Sequence, residues 1–399
     1  MTGTGTLVPN KRAGPSALRL EALPQGLQRM LERGKQELLK DFKGISTDGR
    51  VVPGLFPIGR TGVSTERVAS AAAAYLQSLT PDQRRLGSFE VKSTAWRQWC
   101  NVHPYLMRHG LCLKTLEQSQ REAALGLVRE SMSASGFETA RNVMKLNDYV
   151  RELTGRAEEY DEWYYWMSIM GQPSGGEPWG WQIDGHHLIV NCFVLGDQLV
   201  LTPNFMGSEP VIGETGKYAG IRVLENEESK GLVLMRALEP RQRDRATIAS
   251  ALPSELFAAA FRDNLELGYQ GISWNELSGD QRRLLEDLIG VYVGRMRPGH
   301  ADVKLAELRR HLPDTRFAWI GACDDDVSPF YYRIHSPVVL IEFDHQAPVA
   351  LEGSARTRNH IHTLVRTPNG NDYGADLLRQ HYERYDHSRH DTPHRRGEI

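Results

Sequence analysis

The chain has 399 residues, 40% hydrophobic and 25% charged, with a formal net charge of -2. That composition is globular and can bury a sizeable core. The near-neutral balance excludes bulk attraction to nucleic acid or to an anionic membrane.

Residues 1–25 are rich in Gly, Thr and Pro and read as a disordered tail. They lack the apolar stretch of a signal peptide, and no run reaches the roughly 18 apolar residues that span a bilayer. The four cysteines, Cys100, Cys112, Cys192 and Cys323, form no Cys-x-x-Cys motif. The expectation is a cytoplasmic protein with reduced thiols and no membrane partner.

Helical spacing begins at residues 26–43 and then covers 64–86, 115–170, 227–262 and 278–296. Leu followed four residues later by Gln-Arg recurs at Leu79, Leu116, Leu238 and Leu277. Thr80 with Gln83, Thr115 with Gln118 and Ser278 with Gln281 read as capping boxes, and Pro81 and Pro240 suit a first helical position. The recurrence marks four helix starts. Its irregular spacing does not support a solenoid.

Strand-like segments are 183–195, 198–204, 316–321, 330–344 and 358–366. Helices and strands fall in blocks. That predicts an α+β fold, with an antiparallel or mixed sheet and helices packed outside it. Residues 26–385 form one large module, followed by a polar tail at 386–399. No G-x-G-x-x-G, G-x-x-x-x-G-K-[ST], G-x-S-x-G or H-E-x-x-H motif occurs.

Two of the 14 histidine positions that matter most form a pair at His186 and His187, in Gly-His-His-Leu. On a regular strand their side chains alternate, so only one would reach a site. A second pair, His360 and His362, is spaced to share one strand face, roughly 6.5–7 Å between Cα atoms. Upstream, Glu342 and Asp344 also share a face, and a link of about a dozen residues permits an antiparallel pair with the H-x-H segment.

Two histidines and a carboxylate suit Fe, Mn or Zn, whereas a third histidine favours Zn or Cu. The expected cofactor is therefore a divalent transition metal. His360 and His362 are its ligands, with His186, His187 and His381 as further candidates. His186, His187, Glu342 and Asp344 are the candidate catalytic groups. The competing reading of each is a hydrogen-bonded structural residue. Trp179 and Trp181 either wall a substrate pocket or pack a domain seam. Arg108 either clamps a substrate carboxylate or ties loops together. The tail histidines His387, His390 and His394 read as solvated.

Several segments resemble the domain-of-unknown-function family numbered 3500. They are LFPIGRTGVST, the Trp99-to-Leu111 pattern, PWGW with GHHL, TPNFMGSEP, FAWIG, YYRI with LIEFD, and NHIH through DYG to HY. The resemblance spans roughly residues 45–385 and implies a single intact module. It carries no substrate or reaction with it. Three functions fit the residues: a metal-dependent oxidoreductase or hydrolase acting on a small molecule, a metal-free His/carboxylate hydrolase or lyase, and a non-catalytic binding module.

Overall fold

A computed structural model describes residues 7–10, 23–102 and 106–385. Most of the stretch expected as a disordered tail, the polar tail 386–399 with its three histidines, and Pro104 lie outside the described residues. Residues 7–10 do not form a free tail. They run beside residues 350–352, with Asn10 N–H donating to Ala350 and Glu352 N–H to Val8.

After helix α1 (Gln25–Leu38), the chain builds two successive half-sheets. The first half comprises α2 (Glu66–Ser78), α3 (Pro81–Gly87), β1 (Ser88–Phe89), β2 (Leu111–Cys112), α4 (Gln118–Ser131) and α5 (Ala134–Thr154). It closes with β3 (Tyr165–Met170), β4 (Trp179–Gly185), β5 (Leu188–Leu195), β6 (Gln198–Val200) and β7 (Asn204–Ser208). The second half repeats the order. It comprises α6 (Glu225–Ala237), α7 (Pro240–Ala246), β8 (Thr247–Ala249), β9 (Ile272–Ser273), α8 (Gly279–Val293) and α9 (His300–Arg310). It ends in β10 (Arg316–Gly321), β11 (Phe330–His335), β12 (Leu340–His345) and β13 (Ile361–Arg366), and α10 (Ala375–Arg384) follows.

All thirteen strands join one sheet, ordered β1-β3-β4-β5-β7-β13-β12-β11-β10-β8. The order is a palindrome about the β7–β13 pair. β1 runs parallel to β3 as β8 does to β10, β2 pairs antiparallel with β3, and β9 pairs antiparallel with β10. Every other pairing is antiparallel. The α+β expectation holds.

The leucine recurrence belongs to this duplication. The side-chain amide of Gln120 donates to Gln83 and to the Ser78 carbonyl. That of Gln281 donates in the same way to Gln242 and to the Ala237 carbonyl. The four leucines are buried behind these helix starts. The expected boxes at Thr80 and Ser278 form, and Pro81 and Pro240 occupy first-turn positions. The third sits elsewhere than expected: Glu117, not Thr115, caps α4, with Gln120 answering.

Other expectations need correction. Residues 183–195 are not one strand but the hairpin β4–β5, and 330–344 is the hairpin β11–β12. Residues 165–170, read as helix, form the fully buried strand β3, where every side chain is apolar or small. That run is too uniformly buried for a periodicity test to separate the two. Helix ends at Ala246 rather than 262: strand β8 follows at once, and Pro253 lies in the turns beyond it.

The two sheet faces are covered differently. On one, the Trp181 indole donates to Ser131 at the end of α4, and Arg295, just past α8, donates to Thr363. On the other, Gln182 donates to the Trp96 carbonyl, Cys100 N–H to Asp184, and Arg366 pairs with Asp263. Loops around 93–102 and 253–266 therefore roof the second face. None of the described helices is long and apolar enough to cross a membrane.

Candidate metal centre

His360 immediately precedes β13 and His362 is its second residue, and both reach the loop-covered face. His187 reaches them from the β4–β5 turn. Gly185 pairs with Leu188, so His186 and His187 are the two turn residues. His187 adopts a left-handed φ of 62°. That conformation costs roughly 1–2 kcal/mol outside glycine. The turn is held by Gly207 N–H donating to the His187 carbonyl and by the Tyr165 hydroxyl donating to that of His186.

The two turn histidines part company, though not as alternation on a strand would separate them. Their rings stack at 3.9 Å. His186 Nδ1 donates to the Asn147 side-chain oxygen at 2.9 Å, away from the cluster. His187 Nε2 lies 3.1 Å from His360 Nε2 and 3.2 Å from His362 Nε2, and the last two are 3.1 Å apart. The three nitrogens form a nearly equilateral triangle. Three Nε2 atoms this close together could hold one ion through bonds of about 2.0–2.1 Å each.

Outer partners fix which nitrogen points inward. His360 Nδ1 donates to the Ala347 carbonyl at 2.8 Å, which leaves the Nε2 lone pair for the cluster. Burial, and then the charge of His362, push the His360 imidazole well below its ordinary range. His362 Nδ1 donates to Glu255 Oε1 at 3.0 Å. Burial alone would raise Glu255, but the neighbouring His362 charge and that hydrogen bond hold it below the usual carboxylate value. Glu209 stands 3.6 Å from His360 Nδ1. Its carboxylate accepts the N–H groups of Val349, Ala350 and Leu351, and so anchors the loop that supplies Ala347.

Asp344 is the direct cross-strand partner of His362. It is fully buried, and burial followed by the nearby Glu255 charge raises its carboxyl well above the usual range. Glu342 shares its face but not its surroundings. The Glu342 carboxylate accepts the Phe257 and Ala258 N–H groups and the Tyr331 hydroxyl. It is thereby committed to holding the loop that carries Glu255.

Other candidates lie apart from the cluster. His381, on α10, has Glu177 at 3.5 Å and the rings of Tyr382 and Tyr385 beside it. Trp179 and Trp181 are wholly buried, and their indoles donate to Ser174 and Ser131. They are core packing rather than pocket wall, because alternation turns both towards the helix-covered face. Arg108 is half-buried ahead of β2, which pairs with β3 and so lies five strands across from β13.

A cleft of about 830 Å³ runs between α1, residues 101–102 and the 259–266 loop, and Glu255 forms part of its wall. The three histidines are each only 4–5% exposed. Glu255 therefore joins the buried cluster to the cleft.

The sequence reading did not single out Glu255 or Gly207. Glu255 fell within a segment read as helix. Gly207 lies opposite His362 in the β7–β13 pairing, within the TPNFMGSEP segment. A Cβ there would meet the Ile361 carbonyl at 2.7 Å, His362 Cδ2 at 3.0 Å and His187 Cδ2 at 3.1 Å. Gly207→Ala should therefore splay two of the three rings. We expect metal affinity to fall by about 10–100-fold, the range seen when an outer support is lost, measured by competition with a chromogenic chelator. Unchanged affinity would show that the rings tolerate the shift.

A family described as a protein of unknown function (DUF3500) matches residues 61–375. The chain belongs to this family. The match covers both half-sheets, all three clustered histidines, and Glu255 and Asp344. No curated protein and no solved structure matches the chain.

Proposed function

We propose that this protein is a metal-dependent enzyme acting on a small molecule, with one divalent ion held by His187, His360 and His362. The observation that carries the reading is the convergence of three Nε2 atoms from sequence-distant segments to within 3.1–3.2 Å of one another. Three neutral nitrogen donors with no anionic ligand favour Zn or Cu over the harder ions. Held by these three histidines, such an ion would supply Lewis acidity towards a bound oxygen or water. The cleft volume lies within the range of about 300–1,000 Å³ usual for small-molecule sites.

The test is elemental analysis of protein produced without a histidine tag. About one Zn or Cu per chain is expected. Protein that stays metal-free after exposure to excess zinc and copper would sink the reading. The 3.0 Å His362–Glu255 contact would then favour the metal-free acid–base alternative.

A further inference from the structure

We propose that a second divalent cation binds on the far side of the His362 ring, held by His362 Nδ1, Glu255 and Asp344. The inference rests on the first ion sitting among the three Nε2 atoms, and it makes His362 a bridge between two metals.

Its strongest support is Asp344. The side chain is wholly buried, yet Oδ1 has no hydrogen-bond partner. A buried carboxylate oxygen left without a partner is costly unless something else satisfies it. The other oxygen accepts from the Gln346 amide, so Oδ1 is the atom left over. It faces His362 Nδ1 at 3.9 Å across the β12–β13 pairing.

Glu255 comes from the opposite side. Its Oε1 lies 3.0 Å from the same nitrogen, and the donor atoms of all three residues fall within 4.8 Å of one another. Two carboxylates crowded together in a buried place repel unless a proton or a cation lies between them. An ion of charge +2 would balance both.

The placement is built rather than incidental. Pairing across antiparallel strands fixes Asp344 beside His362. Glu342, by accepting the Phe257 and Ala258 N–H groups, fixes the loop two and three residues beyond Glu255. One nitrogen and two carboxylates suit Zn, Mn or Fe(II). When the second ion binds, the Nδ1 proton and any proton held by Asp344 leave to solvent, and His362 becomes an imidazolate. No electron transfer is involved.

Equilibrium dialysis of the tag-free full chain against zinc should give two ions per chain. Glu255→Gln and Asp344→Asn should each give one. Glu255 is partly exposed at the cleft, so its variant keeps the test valid if the buried Asp344 variant misfolds.

Copper supplies an independent readout. Two Cu(II) ions across an imidazolate couple magnetically. The EPR signal should rise with the first equivalent and fall with the second. In Glu255→Gln it should rise once and stay. A parent chain that saturates at one ion, or that takes two coppers with a fully additive signal, would overturn the second site and leave the first standing. A chain that binds no ion would overturn both.

Discussion

Protein carrying His360→Ala and His362→Ala together should be purified with metal at the level of a buffer blank, while the parent carries its ion. Two of three donors are removed, and the remaining His187 offers a single nitrogen. The fold should survive. Both positions lie at the start of one strand, and the pairings from Leu364 to Arg366 with β12 do not depend on them. Thermal unfolding gives the second half of the result. At metal about 100-fold above its dissociation constant, the parent gains about 2.7 kcal/mol and the double variant gains nothing. His186→Ala is the control. That ring points to Asn147, so the variant should keep its metal. Equal metal content in parent and double variant would refute the three-histidine centre.

Arg366→Met should destabilise the protein by about 3–5 kcal/mol, the cost of breaking a buried ion pair from one side. The guanidinium is fully buried. It donates to Asp263 and Asp372, at 2.9 and 3.1 Å, and to the Ala258 and Ala259 carbonyls. Asp263 retains Arg97 and the Tyr373 hydroxyl, but Asp372 loses its only cationic contact among the described residues. Burial already pushes the Asp372 carboxyl up to about 6 against the pull of Arg366.

The midpoint in urea should fall with little change in slope. Arg366→Lys should not restore it, since one ammonium cannot span two carboxylates and two carbonyls. Adding Asp372→Asn to Arg366→Met should recover part of the loss. A midpoint unchanged in Arg366→Met would mean that this network contributes nothing net. Because Arg366 also holds the loop bearing Glu255, the same variant should bind metal more weakly.

The histidine cluster was legible in the sequence to a useful degree. The i, i+2 spacing of His360 and His362 survives any strand register, because both residues move together. Asp344 was reachable by the same argument, one strand away. His186 and His187 were less so. An apolar run following Gly-His-His reads as one strand, and only the left-handed φ at His187 converts it into a turn. Sequence spacing does not encode that angle for a histidine.

Glu255 was hidden because it sits in a loop whose residues mimic helical spacing, placed by hydrogen bonds from residues far along the chain. The tryptophans misled for a general reason. Large aromatics flanking a glycine suit a pocket and a packed sheet face equally well, and only the neighbouring helix decides. The four Leu-Gln-Arg recurrences read as helix starts, but not as the duplication they belong to. They appear irregular until taken as two pairs, one from each half.

That duplication places the donors on opposite sides of a joint. His187 belongs to the first half and His360 and His362 to the second, and the halves meet where β7 pairs with β13. Pairing between segments so distant along the chain closes slowly, after each half has formed its local hairpins. An ion held there would act as a clasp fastened last. It could not template either half, since neither owns three donors, but once in place it would resist their parting. Chelation should therefore speed unfolding more than it slows refolding.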